Sequence, residues 1–157
     1  MSNTKKILII GSEGFIGNHL IEFYQEKNYE VWGCDINLPL ENNYHFFKNV
    51  LTSNFWEHLF EKNKFDYCVN AGGKSNVNES LENPSADFEA NVFETFKILD
   101  AIRKFNTDCK YLHISSAAVY GNPEELPIKE NAPCNPLSPY GWHKLQSEKI
   151  CDEFSKL

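Results

Sequence analysis

A run of four apolar residues, Ile7–Ile10, feeds directly into GSEGFIG, which places glycines at positions 11, 14 and 17. An apolar run of strand length followed at once by evenly spaced glycines requires a tight turn. The segment after it, from about Phe15 to Lys27, carries Ile16, Leu20 and Phe23 as one helical stripe. Strand, glycine turn and helix together form a cradle for phosphate. Glycine lets the backbone approach closely, and the unpaired amides and dipole of a helix N-terminus favour negative charge. The spacing therefore predicts a pyrophosphate-bearing ligand at Gly11, Gly14 and Gly17.

The alternation continues downstream. Glu30–Asp35, Tyr44–Lys48, Phe65–Asn70 and Lys110–Ser116 read as strands. Ser85–Phe105 reads as the longest helix, with Phe88, Val92, Phe96, Leu99 and Ile102 on one stripe. Five prolines between Asn122 and Pro139 exclude a helix there. Strands that are apolar on both faces and separated by helices pair in parallel through right-handed crossovers. The expected fold class is thus α/β, a doubly wound parallel sheet with its ligand at the carboxyl ends of the strands. At 157 residues and 41% hydrophobic, the chain can bury the core of one such domain, residues 1–157.

Charge and cysteine usage narrow the partners. A net charge of -7 argues against nucleic acid, whose binding relies on clustered Lys and Arg. No stretch approaches the roughly 18 apolar residues that span a membrane, so no membrane partner is expected. Cys34, Cys68, Cys109, Cys134 and Cys151 are odd in number and form no Cys-x-x-Cys pair, which fits neither a disulfide framework nor a zinc site. A reduced, cytoplasmic setting is expected. The five histidines show no ligand spacing, so no metal is expected and all five are read as structural or surface residues.

Asp35 closes the second strand, where an acid can accept hydrogen bonds from the hydroxyls of an adenosine ribose and repel a 2′-phosphate. NAD is therefore expected in preference to NADP. SPYG at 138–141 marks a helix start, so Tyr140 and Lys144 fall one turn apart on the same face. An ammonium at roughly 4 Å, at an effective dielectric near 20, favours a phenolate by about 4 kcal/mol, which suits Tyr140 to general-base work. Ser115 and Ser116 close the fifth strand. Adjacent strand residues point to opposite faces, so one of the two hydroxyls faces the ligand crevice. Asn91 is the polar exception on an apolar helix stripe, and a buried amide there must find hydrogen bonds.

These motifs resemble those of the extended short-chain dehydrogenase/reductases, in particular their NAD-dependent nucleotide-sugar epimerase branch. GSEGFIG resembles the family's Gly-x-x-Gly-x-x-Gly loop, NAGGK at 70–74 the loop after the fourth strand, SSAAVYG at 115–121 the fifth-strand motif, and SPYGWHK at 138–144 the Tyr-x-x-x-Lys signature. The resemblance covers essentially the whole chain and implies a Rossmann-like fold. It implies a catalytic set of Ser116, Tyr140 and Lys144, selecting Ser116 over Ser115. It also implies cofactor contacts from Gly11, Gly14, Phe15, Ile16, Gly17 and, around the ribose, Asp35, Ile36 and Asn37. Further contacts are implied from Ala71, Gly72 and Lys74, and from Asn91, Tyr140 and Lys144. Asn49 stands where many relatives have Asp at the adenine pocket.

The implied activity is inversion of a nucleotide sugar, by transient oxidation of a hydroxyl and return of hydride to the opposite face. Sugar reductases and dehydratases of the same family, or a non-catalytic NAD-binding module, are the alternatives. Dehydratases carry an Asp-Glu pair after the strand-end Ser or Thr, where this chain has Ala117 and Ala118. Family members run well beyond the Tyr-x-x-x-Lys helix into a small substrate domain and are expected to form homodimers. The sheet is accordingly expected to be truncated before that domain, with the chain a fragment of a longer enzyme.

Overall fold

The computed structural model describes residues 4–39, 43–49 and 54–157. The chain divides into two compact units, residues 1–72 with 97–114 and residues 73–96 with 115–157.

The first unit is built on a five-stranded parallel sheet of order β3-β2-β1-β4-β5. Its strands are β1 (Lys6–Ile10), β2 (Glu30–Asp35), β3 (His45–Lys48), β4 (Tyr67–Asn70) and β5 (Lys110–His113). The central strand is apolar from Ile7 to Ile10 because both of its faces are covered there. Leu8 and Ile10 pack on one side with Trp56, Leu59 and Phe60 of α2 (Phe55–Lys62) and with Ile98, Ala101 and Ile102 of α5 (Glu94–Phe105). Ile7 and Ile9 point to the other side, beside Ile21 of α1 (Phe15–Glu26). Ile7, Leu8 and Ile9 are fully buried, each contributing about 1.5–3 kcal/mol. The strand order reverses between β1 and β4, which makes the carboxyl ends of these two strands the switch point where such sheets take ligands.

The expected stripe on α1 is rotated. Gly17 and Ile21 face inward, whereas Ile16 and Phe23 are 45% and 50% exposed. The cause is steric. A Cβ at Gly17 would lie 2.0 Å from the Gly11 carbonyl oxygen, so the helix can dock only with its glycine side against the loop.

The second unit comprises α3 (Val77–Glu82), α4 (Pro84–Phe88), a π-helical turn (Glu89–Phe93), a 3₁₀ turn (Ala117–Val119) and α6 (Pro139–Phe154). Its helix starts are written in the sequence. Asn76, Asn83 and Ser138 each accept first-turn amides through their side chains, and Pro84 and Pro139 occupy first helical positions. The π turn interrupts what the sequence predicts as one long helix. Its extra residue shifts the phase of the stripe, so Val92 is buried while Phe88 and Phe96 remain 43% and 40% exposed. The 122–138 segment is irregular, as its prolines require.

Candidate active site

At the carboxyl end of β1 the chain turns through Gly11, whose φ of +77° favours glycine. A Cβ there would meet the Gly72 backbone at 2.7 Å, so the loops after β1 and β4 touch backbone to backbone. The Gly11 amide donates to the Cys34 carbonyl at 2.8 Å, and the Ala71 amide to Ile10 at 2.9 Å, extending the sheet's bonding into both loops.

Gly14 differs from the other two glycines of the loop. It is exposed, caps α1 without any side-chain bond, and a Cβ placed on it would meet only the Gly11 oxygen, at 3.3 Å. A side chain at Gly14 therefore needs only a small shift of the Gly11 carbonyl, far less than at Gly11 or Gly17, and Gly14 borders the space in front of the α1 N-terminus. The first amides of a helix have no intrahelical acceptor. Those of Phe15, Ile16 and Gly17 thus form an anion cradle of the kind a pyrophosphate fits.

Asp35 is held by two backbone donors, Glu13 N–H to Oδ2 at 3.1 Å and Asn37 N–H to Oδ1 at 3.0 Å. A carboxylate offers about four lone-pair sites, so two remain for ribose hydroxyls. Ile36 is exposed beside it. Asn49 donates its amide to the Asp35 carbonyl at 2.7 Å, continuing the β2–β3 ladder. The residues present fit a dinucleotide.

In the second unit, Tyr140 and Lys144 lie one turn apart on α6 and are 9% and 4% exposed. Burial pushes the Lys144 ammonium down to about 8, against the opposing influence of Cys151, Glu148 and Asp87. The Tyr140 amide, an orphan of the helix start, donates to Ser80 Oγ at 3.1 Å. A Cβ at Gly141 would fall 2.7 Å from the Ala118 carbonyl oxygen, so α6 packs directly on the 3₁₀ turn.

β5 ends at His113 rather than Ser116. The two serines follow it and separate in role. Ser115 donates its hydroxyl to Glu148 Oε1, whereas Ser116 caps the 3₁₀ turn, its Oγ accepting the Ala118 amide at 3.2 Å.

Asn91 sits at the centre of the π turn, 3% exposed. Its amide donates to the Lys74 carbonyl at 3.1 Å, and its own carbonyl accepts the hydroxyls of Thr95 at 2.7 Å and Ser147 at 3.0 Å. Lys74 itself is partly exposed, its Nζ 4.0 Å from Glu79.

Comparison with known proteins bears on this arrangement. The sequence profile of the NAD-dependent epimerase/dehydratase family matches residues 7–157. The chain belongs to that family. A Pisum sativum UDP-glucose 4-epimerase is 32% identical over 99% of the chain and 49% of its own length. A Methanocaldococcus jannaschii protein provisionally assigned as a UDP-glucose 4-epimerase is 35% identical over 96% of the chain and 51% of its own length. Among solved structures, the UDP-Glc/GlcNAc 4-epimerase of Campylobacter jejuni superposes with a TM-score of 0.88 at 29% identity, over 97% of this chain and 49% of its own. The NAD complex of the Brucella ovis UDP-glucose 4-epimerase gives 0.88 at 28%, over 98% and 48%. The chain spans about half the length of the curated relatives it matches.

Family membership accounts for the Rossmann-like sheet and for both signatures, GSEGFIG and SPYGWHK. Several neighbours of the implied set have partners that the motifs do not announce. Ser80, fully buried, lies on α3, where no motif marks it as a partner of the α6 start. The buried Asp87 pairs with the partly buried His143, Oδ1 to Nδ1 at 2.6 Å, although nothing in their spacing joins them. Glu148 could have been found, since it lies one turn beyond Lys144 on α6. Glu13 could also have been found, being a charged residue between two glycines of the loop. Among the described residues no cluster of His, Cys, Asp and Glu could hold a metal ion, and no helix is long and apolar enough to cross a membrane.

Proposed function

We propose that the chain carries the cofactor site and the proton-transfer residues of an NAD-dependent nucleotide-sugar epimerase acting on a UDP-hexose. The observation that carries this reading is the buried Tyr140–Lys144 pair on α6, in a family whose relatives here are named UDP-glucose 4-epimerases. Bound NAD would supply a hydride acceptor. Gly11, Gly14 and the amides of Phe15, Ile16 and Gly17 would hold its pyrophosphate, Asp35 with Ile36 and Asn37 its adenosine ribose. Contacts from Ala71, Gly72, Lys74 and Asn91 belong to the same proposal.

Tyr140 then accepts the proton of the sugar hydroxyl at its phenolic oxygen and gives it back, and the Lys144 ammonium beside it favours the phenolate while charged. Ser116 donates to the reacting sugar oxygen. Its hydroxyl is not committed to a carboxylate, whereas that of Ser115 is. Ala117 and Ala118 supply no acid or base, which favours inversion over elimination.

Self-association and a reducing, cytoplasmic setting are part of the proposal. β5 borders the sheet among the described residues with Leu112 52% exposed, and no disulfide joins any of the five cysteines.

The test is Tyr140→Phe in the protein expressed from its complete reading frame, assayed on UDP-glucose with NAD. The expected result is a loss of about 10²–10⁴-fold in kcat with the fold retained by circular dichroism. Activity within a few-fold of the parent would overturn the assignment.

A further inference from the structure

We propose that Glu13 is a second determinant of cofactor choice. Together with Asp35 it presents two carboxylates at the adenosine-ribose end of the site, refusing a 2′-phosphate. The inference rests on the NAD-binding reading of the glycine loop and extends it to a residue that the loop pattern leaves unspecified.

Glu13 lies between Gly11 and Gly14 and is joined to Asp35 by its own amide, at 3.1 Å from Oδ2. Its carboxylate is fixed. Oε1 accepts the hydroxyl of the buried Ser12 at 3.0 Å and, from β3's approach, the hydroxyl of Tyr44. Burial, then the bond to Glu13 and the charges of Glu13 and Asp35, push the Tyr44 phenol up to about 12, so Tyr44 remains a donor at any physiological pH. One phenol thus feels both carboxylates, which places the two anions in the same neighbourhood.

The cation opposite Asp35 in the ladder, Lys48, is exposed and forms no ion pair with either acid. Among the described residues no ion pair joins either carboxylate to a basic side chain, unlike a site built for a phosphate. A ribose with free 2′ and 3′ hydroxyls donates to such a pair, whereas a 2′-phosphate adds two negative charges beside two others.

The experiment is calorimetry of NAD and NADP binding to the chain at low ionic strength, for the parent, Glu13→Gln, Asp35→Asn and the double variant. Gln keeps an oxygen for the Ser12 and Tyr44 hydroxyls and removes only the charge, and thermal unfolding of each variant verifies the fold. The ratio of NADP to NAD affinity is expected to rise about ten-fold in Glu13→Gln and further in the double variant, the gain shrinking at high salt. A ratio unchanged within two-fold in Glu13→Gln, while the parent binds NAD, would overturn the role of Glu13 and leave the NAD reading standing. A parent that binds neither dinucleotide would overturn both.

Discussion

The backbone amide of Tyr140 donates to the hydroxyl of Ser80, 60 residues earlier in the chain, at 3.1 Å. Ser80 also donates to the Val77 carbonyl at 2.6 Å, so one fully buried hydroxyl ties the last turn of α3 to the first turn of α6. Ser80→Ala removes the acceptor and leaves the Tyr140 amide buried without a partner. The expected loss is about 1–3 kcal/mol of unfolding free energy. Urea denaturation checks this, and a change below about 0.5 kcal/mol would show that water takes over the bond.

The glycines of the loop separate into two kinds under substitution. Gly17→Ala drives a Cβ to 2.0 Å from the Gly11 oxygen, which the docked helix cannot relieve, so the thermal midpoint should fall by several degrees. Gly14→Ala meets only one oxygen at 3.3 Å and should leave the midpoint nearly unchanged while weakening NAD binding at least ten-fold. Calorimetry beside thermal unfolding distinguishes the two. Loss of stability at Gly14, or tolerance at Gly17, would contradict the assignment of space in the loop.

Burial of Lys144 makes stability depend on pH in a defined direction. With the ammonium pushed down to about 8 from 10.5, the unfolded chain binds more protons than the folded one between those values, and stability gained at this residue rises with pH across that window. Below about pH 8 the folded state carries the full desolvation cost, about 3 kcal/mol. Cys151, pushed up to about 11 from 9.0, acts oppositely above pH 9, so the parent alone would mix the two effects. Chemical denaturation of the parent and Lys144→Met from pH 7 to 10 isolates the lysine. The parent should gain on the variant as pH rises, and parallel curves would refute the depressed value.

How legible each part was follows from what sets it. The sheet was readable because β1, β2 and β4 carry short apolar runs that burial under helices requires, and the glycine loop because Gly11 and Gly17 have no sterically permitted substitute. The helix faces differ from the periodicity where a backbone contact or an irregular turn fixes the phase. Gly17 against Gly11 rotates α1, and the π turn around Asn91 offsets Phe88 and Phe96 from Val92. The Tyr140–Lys144 pair follows from spacing on one helix. The bonds of Ser80, Ser147 and Asp87 join residues 56 to 60 positions apart, which no periodicity encodes. The end of β5 at His113 was overshot because the Ile114 amide still donates to the Asn70 carbonyl and Ser116 is extended, although residue pairing with β4 stops at His113.

Asp87 and His143 support a last prediction, because their pairing is asymmetric in what each leaves behind. Asp87 is 1% exposed, Oδ1 lies 2.6 Å from His143 Nδ1, and Oδ2 has no hydrogen-bond partner among the described residues. A buried carboxylate with one bare oxygen depends on its remaining partner. His143→Ala should therefore cost about 3–5 kcal/mol, in excess of the packing lost between the imidazole and the Phe88 ring. The double variant Asp87→Ala with His143→Ala removes the stranded charge as well, and should be less destabilised than the sum of the single variants by more than about 1 kcal/mol. Urea unfolding of the four proteins closes this cycle. Additive single effects would mean that Asp87 is stabilised by its surroundings without His143, and the pair would then be only a contact between α4 and α6.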